Sequence, residues 1–290
     1  MAEIRRSGAW GSALSTAEFA AIRSVGFEPV GQVLGAAVYN IGYQGGYSCP
    51  GAWSGLFGSW SAATTQVSGR GGWGSFGPLT QAMYDARHKA ISRMTAECAA
   101  LGGHGVVGVS LRIGGFPSGG LEFKAIGTAV RGVGAAAPPH PFSSDLSGQN
   151  FAKLIAAGWV PVGLSLGISI AARHDDWRTI GMRSWGAGNT EVPGYTELVN
   201  MARHDARVQL TADVARLGAD GVVVSSNHLQ IRERECPSQE HRTDHIAEVT
   251  IIGTAIARFA APPASQAPGT LAVLSLDPQR RQAARIRLGG

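Results

Sequence analysis

Three sequence blocks occur twice along the 290-residue chain, in the same order. LSTAEFAAIRSVGFEPVGQVLG at Leu14–Gly35 is matched by LSGQNFAKLIAAGWVPVGLSLG at Leu146–Gly167, an offset of 132 residues. ARHKAISRMTAECAALGGHGVV from Ala86 is matched by ARHDARVQLTADVARLGADGVV from Ala202, at 116. AIGTAVR at Ala125–Arg131 is matched by IIGTAIAR at Ile251–Arg258. Length differences fall only between the blocks, where loops tolerate insertion. The chain therefore reads as two tandem copies of one module, and whatever fold one copy adopts must serve twice.

Each copy reads α-β-α-β-β. Ser15 followed by Glu18 is a capping-box start and Gly26 a C-terminal glycine; Ser147 and Gly158 take those places in the second copy. A strand is expected over Pro29–Asn40 and again over Pro161–Ala172. The second helix carries the stripe Ala82, Ala86, Ala90, Met94, Cys98, Leu101, repeated as Leu198, Ala202, Ala206, Leu210, Val214, Leu217 at spacings of four and three. Hairpins follow, Val106–Ile113 with Leu121–Arg131 and Val222–Ile231 with Ile246–Arg258. Small stripe residues predict close packing of helix on sheet. Three strands and two helices make a thin core with sheet edges that need cover, which self-assembly supplies.

Copy one is thus 14–131, with a glycine- and aromatic-rich insertion at 41–79. A linker spans 132–144, copy two spans 145–259, and a flexible basic tail spans 260–290. The chain's formal charge is +5, but Arg280, Arg281, Arg285 and Arg287 stand against Asp277 alone at the C-terminus, so the body holds only +2. That balance predicts no nucleic-acid groove. Cys49, Cys98 and Cys236 are too scattered for a disulfide framework. No apolar run suits a leader or a membrane span, so a cytoplasmic protein is expected.

The blocks GFEPVGQVLG, the helix beginning ARH, LGGHGVVGV / LGADGVVV and the closing GTAV / GTAI strand resemble the YbjQ-like family, which carries a heavy-metal-binding label. The resemblance implies an α+β fold of the dodecin-subunit-like kind. It also implies pentameric rings in which neighbouring subunits complete each other's sheets. Two copies in one chain, the long insertion and the extra tail depart from that pattern.

Candidate sites follow from residue type and spacing. Cys236, His241 and His245, in ECPSQEHRTDHIAE beside Glu235, Glu240 and Asp244, offer a thiolate and two imidazoles suited to zinc or another soft divalent metal. Against this, CPS at Cys236 aligns with FPS at Phe116, and the segment falls in a hairpin connection, where a solvated loop is the plainer expectation. His88 and His204 share the ARH motif and lie about 200° around the helix from the stripe, on a surface or subunit interface. His104 aligns with Asp220 in a turn, and Cys98 aligns with Val214 as a small core hydrophobe. The insertion interleaves Trp53, Trp60 and Trp73 with glycines, and copy two keeps Trp177 and Trp185; these read as an assembly surface before a ligand surface.

Enzyme signatures fail in turn. Gly72, Gly74 and Gly77 spell GxGxxG without a preceding strand, and no P-loop, GxSxG or HExxH is present. His174-Asp175 and His204-Asp205 resemble the pairs of metal phosphohydrolases, whose all-helical scaffold is not expected here. In the tail, Leu271, Val273 and Leu276 precede arginines and loosely resemble short LxVxSL-type peptides that load cargo into encapsulin shells. The expectation is a non-enzymatic homo-oligomeric scaffold or binding protein, with the tail docking a protein partner or shell. Metal binding at the Cys/His loop and an enzyme built at subunit interfaces are the alternatives.

Overall fold

A computed structural model describes residues 11–40, 65–67, 76–117, 120–183, 186, 188–235 and 243–259. The elements in chain order are α1 (Thr16–Ser24), β1 (Phe27–Tyr39), β2 (Thr65–Val67), α2 (Gly77–Ala100), β3 (Gly105–Gly115), β4 (Leu121–Gly132), β5 (Phe142–Ser143), α3 (Gly148–Ala156), β6 (Trp159–His174), α4 (Trp177–Met182), α5 (Pro193–Arg216), β7 (Gly221–Glu235) and β8 (Thr243–Arg258). The strands form two sheets, ordered β1-β4-β3-β5 and β2-β6-β8-β7. The architecture is mixed α+β.

Local chemistry sets the element ends. Ser15 accepts from the Glu18 N–H while the Glu18 carboxylate accepts from the Ser15 N–H, completing the capping box of α1. Ser147 accepts from the Asn150 N–H at the start of α3. Gly26 and Gly158, at φ +80° and +83°, then turn the chain into β1 and β6. Both long strands run two residues further at each N-terminal end than the sequence suggests. β8 begins at Thr243, so Asp244 and His245 lie on a strand and not in the hairpin connection.

The two halves place equivalent residues in equivalent contacts. The Leu34 N–H donates to Glu97 Oε2 at 2.8 Å, and the Leu166 N–H donates to Asp213 Oδ2 at 2.9 Å. A Cβ on Gly35 would strike the carbonyl of Ala90, and one on Gly167 the carbonyl of Ala206. Ser12 Oγ meets Thr128 Oγ1, as Ser144 Oγ meets Thr254 Oγ1. His104 Nδ1 accepts from the Gly132 N–H, while Asp220 Oδ2 accepts from the Arg258 N–H.

Packing is layered. The stripe Ala86, Ala90, Met94 and Cys98 buries α2 on the first sheet against Val33, Ala37, Phe123 and Ala125. Leu198, Ala202, Ala206 and Leu210 bury α5 on the second sheet against Ala247, Val249 and Ile251. The flank of α2 beside this stripe packs on the second sheet, Met83 against Ile168 and Ile170. The order of layers is therefore α5, second sheet, α2, first sheet. The linker is not a free tether, because β5 adds in parallel to β3, pairing Phe142 with Gly105 and Ser143 with Val106. Among the described residues no helix is long and apolar enough to cross a membrane.

Candidate functional site

A dense cluster of buried polar side chains sits at the far end of β6 and β8. Antiparallel register sets His174 opposite Asp244 and Arg173 opposite His245, and β6 then runs through Asp175 to the N-cap of α4 at Asp176. His174 Nδ1 lies 2.6 Å from Asp244 Oδ1. His245 Nδ1 lies 3.1 Å from Asp175 Oδ1, and its Nε2 lies 3.2 Å from Glu233 Oε1. The other oxygen of Asp175 accepts from the Tyr195 hydroxyl at 2.9 Å and from Arg183 at 3.2 Å. Arg173 reaches Glu197 at 2.7 Å and Thr65 of β2 at 3.1 Å. Gly194 admits this guanidinium: a Cβ there would stand 2.7 Å from Arg173 Nε and from Thr179 Oγ1.

The charges are mutually tuned. Burial alone would lower the pKa of His245, but the Asp175 hydrogen bond and charge, with Glu233 behind them, raise it above 6.5. Burial alone would raise Asp175, yet the hydrogen bond and charge of His245, the Tyr195 hydroxyl and Arg183 hold it below 3.8. A carboxylate at each nitrogen favours the imidazolium form of His245, which donates to both. A metal at His245 would have to displace one of those carboxylates. Cys236 and His241, its expected co-ligands, lie outside the described residues, so the structure brings only His245 into view. Among the described residues no group of three metal-type ligands converges.

His88 and His204 occupy unlike surroundings despite their shared motif. His88 is half-buried between the halves, stacked on Tyr84 and 3.9 Å from the Asp213 carboxylate. Burial lowers its pKa, with Asp213 opposing. His204 is exposed on the outer side of α5. Trp177 is also exposed, whereas Trp53, Trp60, Trp73 and Trp185 lie outside the described residues, as do the tail positions Leu271, Val273 and Leu276. What the structure does show of the insertion is β2, which covers the edge of β6 at Ala171–Arg173. Cys98 is buried and donates to the Gly105 carbonyl, and burial pushes its thiol up to about 11.

A cleft of about 640 Å³ opens beside α2 between the sheets, lined by Met83, Arg87, Phe123, His228, Arg232 and Glu248 among others. Arg87 is buried at its wall, donating to the Met83 carbonyl with its guanidinium 5.5 Å from the Phe123 ring centroid. Sequence reasoning missed this cleft and the Asp175–His245 pairing. The adjacent pair His174-Asp175 was the available signal for the second.

Helices packed on two four-stranded sheets, in a mixed α+β arrangement, are the class of protein this geometry defines. Residues 57–132 match the family model described as "Putative heavy-metal-binding". The chain is 36% identical over 224 residues to encapsulin nanocompartment protein Rv1762c of Mycobacterium tuberculosis, covering 73% of this chain and 75% of that protein. The chain belongs to the same family as that mycobacterial protein. No solved structure matches it.

Proposed function

We propose that the chain is a non-enzymatic, self-assembling component of a protein nanocompartment, built from two tandem YbjQ-like modules that close into a ring, with five chains as the expected number. The observation that carries this reading is the identity to a protein named for an encapsulin nanocompartment over three quarters of that protein's length. The exposed faces and edges of the single chain support it. β7 is exposed along most of its fifteen residues, with Val224, Leu229 and Ile231 open to solvent, an arrangement that invites pairing with another chain.

In this reading the tail at 260–290 docks on a shell through Leu271, Val273 and Leu276. Co-expression with the encapsulin shell protein of the same cell tests it. The full chain should co-elute with shell-sized particles, and a chain truncated at Ala260 should not. Equal retention of both would overturn tail docking, and shell-sized particles formed by this chain alone would make it the shell.

Zinc or another soft divalent metal at Cys236, His241 and His245 is a second reading. It is supported by the family description, and it requires the metal to displace Asp175 or Glu233 from His245.

A further inference from the structure

The interface between the two halves is heterologous: the first half contributes a helix face and a strand edge, the second a sheet face and an N-terminal segment. The helix face is α2, whose Met83 packs on Ile168 and Ile170. The Tyr84 hydroxyl sits on β6, accepting from the Ile168 N–H at 2.7 Å and facing the Leu166 carbonyl at 3.4 Å. Burial pushes that hydroxyl to about 12, so it stays protonated. The strand edge is β3: Ser144 donates its N–H to the Val106 carbonyl, while Val109 and Gly108 donate to the carbonyls of Ser144 and Leu146.

Each of these four surfaces has an equivalent, and among the described residues none of the equivalents meets a counterpart of the segment that covers it between the halves. Leu34 and Val38 of β1 stand where Leu166 and Ile170 stand on β6. They are 49% and 48% exposed, whereas Leu166, Ile168 and Ile170 are 0%, 0% and 3% exposed. Val199 and Asn200 of α5 stand where Met83 and Tyr84 stand on α2, Val199 half-buried on the flank of the helix and Asn200 exposed. Val222 and Val224 of β7 stand where Val106 and Gly108 stand on β3. Gly11–Leu14 stands where Ser143–Leu146 stands, and Ser12 is already anchored on Thr128 as Ser144 is on Thr254.

We infer that the second half of one copy docks on the first half of the next through the same interface that joins the halves within a chain. The outer face of α5 covers Leu34, Ala36 and Val38 of the neighbour, continuing the alternation of helix and sheet. Val199 fills the place of Met83, and the Asn200 amide oxygen accepts the Ala36 N–H as the Tyr84 hydroxyl accepts that of Ile168. The neighbour's Gly11–Leu14 pairs with the open edge of β7. His204 meets the neighbour's Glu97, as His88 meets Asp213. A heterologous contact of this kind propagates, and closes into a ring when its rotation divides a full turn. The inference rests on the assembly reading above and specifies the surface that reading leaves open.

The test uses the full chain carrying Cys49→Ser and Cys236→Ser, with buried Cys98 retained. Val38→Cys with Val199→Cys is added, and the protein is oxidised. Within one chain α2 and two sheets stand between these positions, with sheet layers about 10 Å apart, so a disulfide between them must join two copies. Native mass spectrometry should show the parent's oligomer, non-reducing gels a ladder from dimer upward, and each single-cysteine variant no ladder. The parent's oligomer without a ladder would overturn this interface while leaving assembly standing. A monomeric parent would overturn both. Separately, Val38→Glu should reduce the assembly to single chains with unchanged circular dichroism, and retention of the full oligomer would overturn the docking of α5 on this face.

Discussion

Each half brings its long helix closest to its sheet at a glycine, and Gly167→Ala measures what that approach contributes. A Cβ at Gly167 would lie on the Ala206 carbonyl oxygen and 3.0 Å from Leu210 Cβ. Carbon atoms pack comfortably at about 3.5–4 Å, so α5 must withdraw by roughly 1 Å. Overpacking of this kind costs about 1–3 kcal/mol. Withdrawal also stretches the bond from the Leu166 N–H to Asp213, 2.9 Å long and buried, which adds about 1 kcal/mol. The sum is about 2–4 kcal/mol, a fall in melting temperature on the order of 5–10 °C for a chain of this size. Thermal and urea melts followed by circular dichroism measure it. Gly35→Ala should behave alike, because its Cβ would meet the Ala90 carbonyl and stand 2.5 Å from the Met94 nitrogen. Gly114→Ala, with nothing within 4 Å of the new carbon, should stay within about 0.5 kcal/mol. A Gly167→Ala protein that melts with the wild type would refute the close-approach reasoning.

Two further outcomes are expected. Asp175→Ala should cost about 3–5 kcal/mol, since it leaves the buried His245 ring with Glu233 alone and strips Tyr195 and Arg183 of their acceptor. The contribution of His245, whose folded pKa is raised above 6.5, is full below that value and is lost as pH rises through the folded one. That of Asp175, held below 3.8, is present above 3.8 and is lost as pH falls through the folded value. Urea midpoints of wild type and variant should therefore differ most near pH 5–6 and less as pH rises through the folded His245 value; a difference that grows with pH would contradict the pairing. For the metal reading, zinc retained stoichiometrically by the wild type should be lost from a Cys236→Ser/His241→Ala protein, and retention by both would remove those ligands.

Much of the fold was legible because its determinants are local. The Ser15–Glu18 box, the glycines at 26 and 158 and the stripes of α2 and α5 announce themselves at fixed spacings, and repetition doubles each signal. His104 and Asp220, read as turn residues, do close turns by accepting from the end of the neighbouring strand. Candidate sites were less legible, because partners come from register. His245 finds Asp175 across seventy residues of chain only because β6 and β8 extend beyond their apolar cores to Arg173 and His174. The role of His88 was hidden for another reason. The stripe specifies which side of α2 meets its own sheet, but nothing within one module marks Met83 and Tyr84 as facing the other one. Equivalent positions with unlike exposure, such as Leu34 and Leu166, become informative only once both halves are folded side by side.

The two-residue strand β5 precedes the second half in sequence yet lies in the sheet of the first. A cut in the chain near Gly134 would therefore not release two self-sufficient proteins. The upstream piece would keep β3 with a raw margin at Gly105 and Val106, and would lose the partner that Ile22 and Phe27 find in Phe151. The downstream piece would carry Ile168 and Ile170 bare to water. Fusion of the halves is thus written into the wall between them, and genetic separation would be tolerated only if the two fragments met again after synthesis.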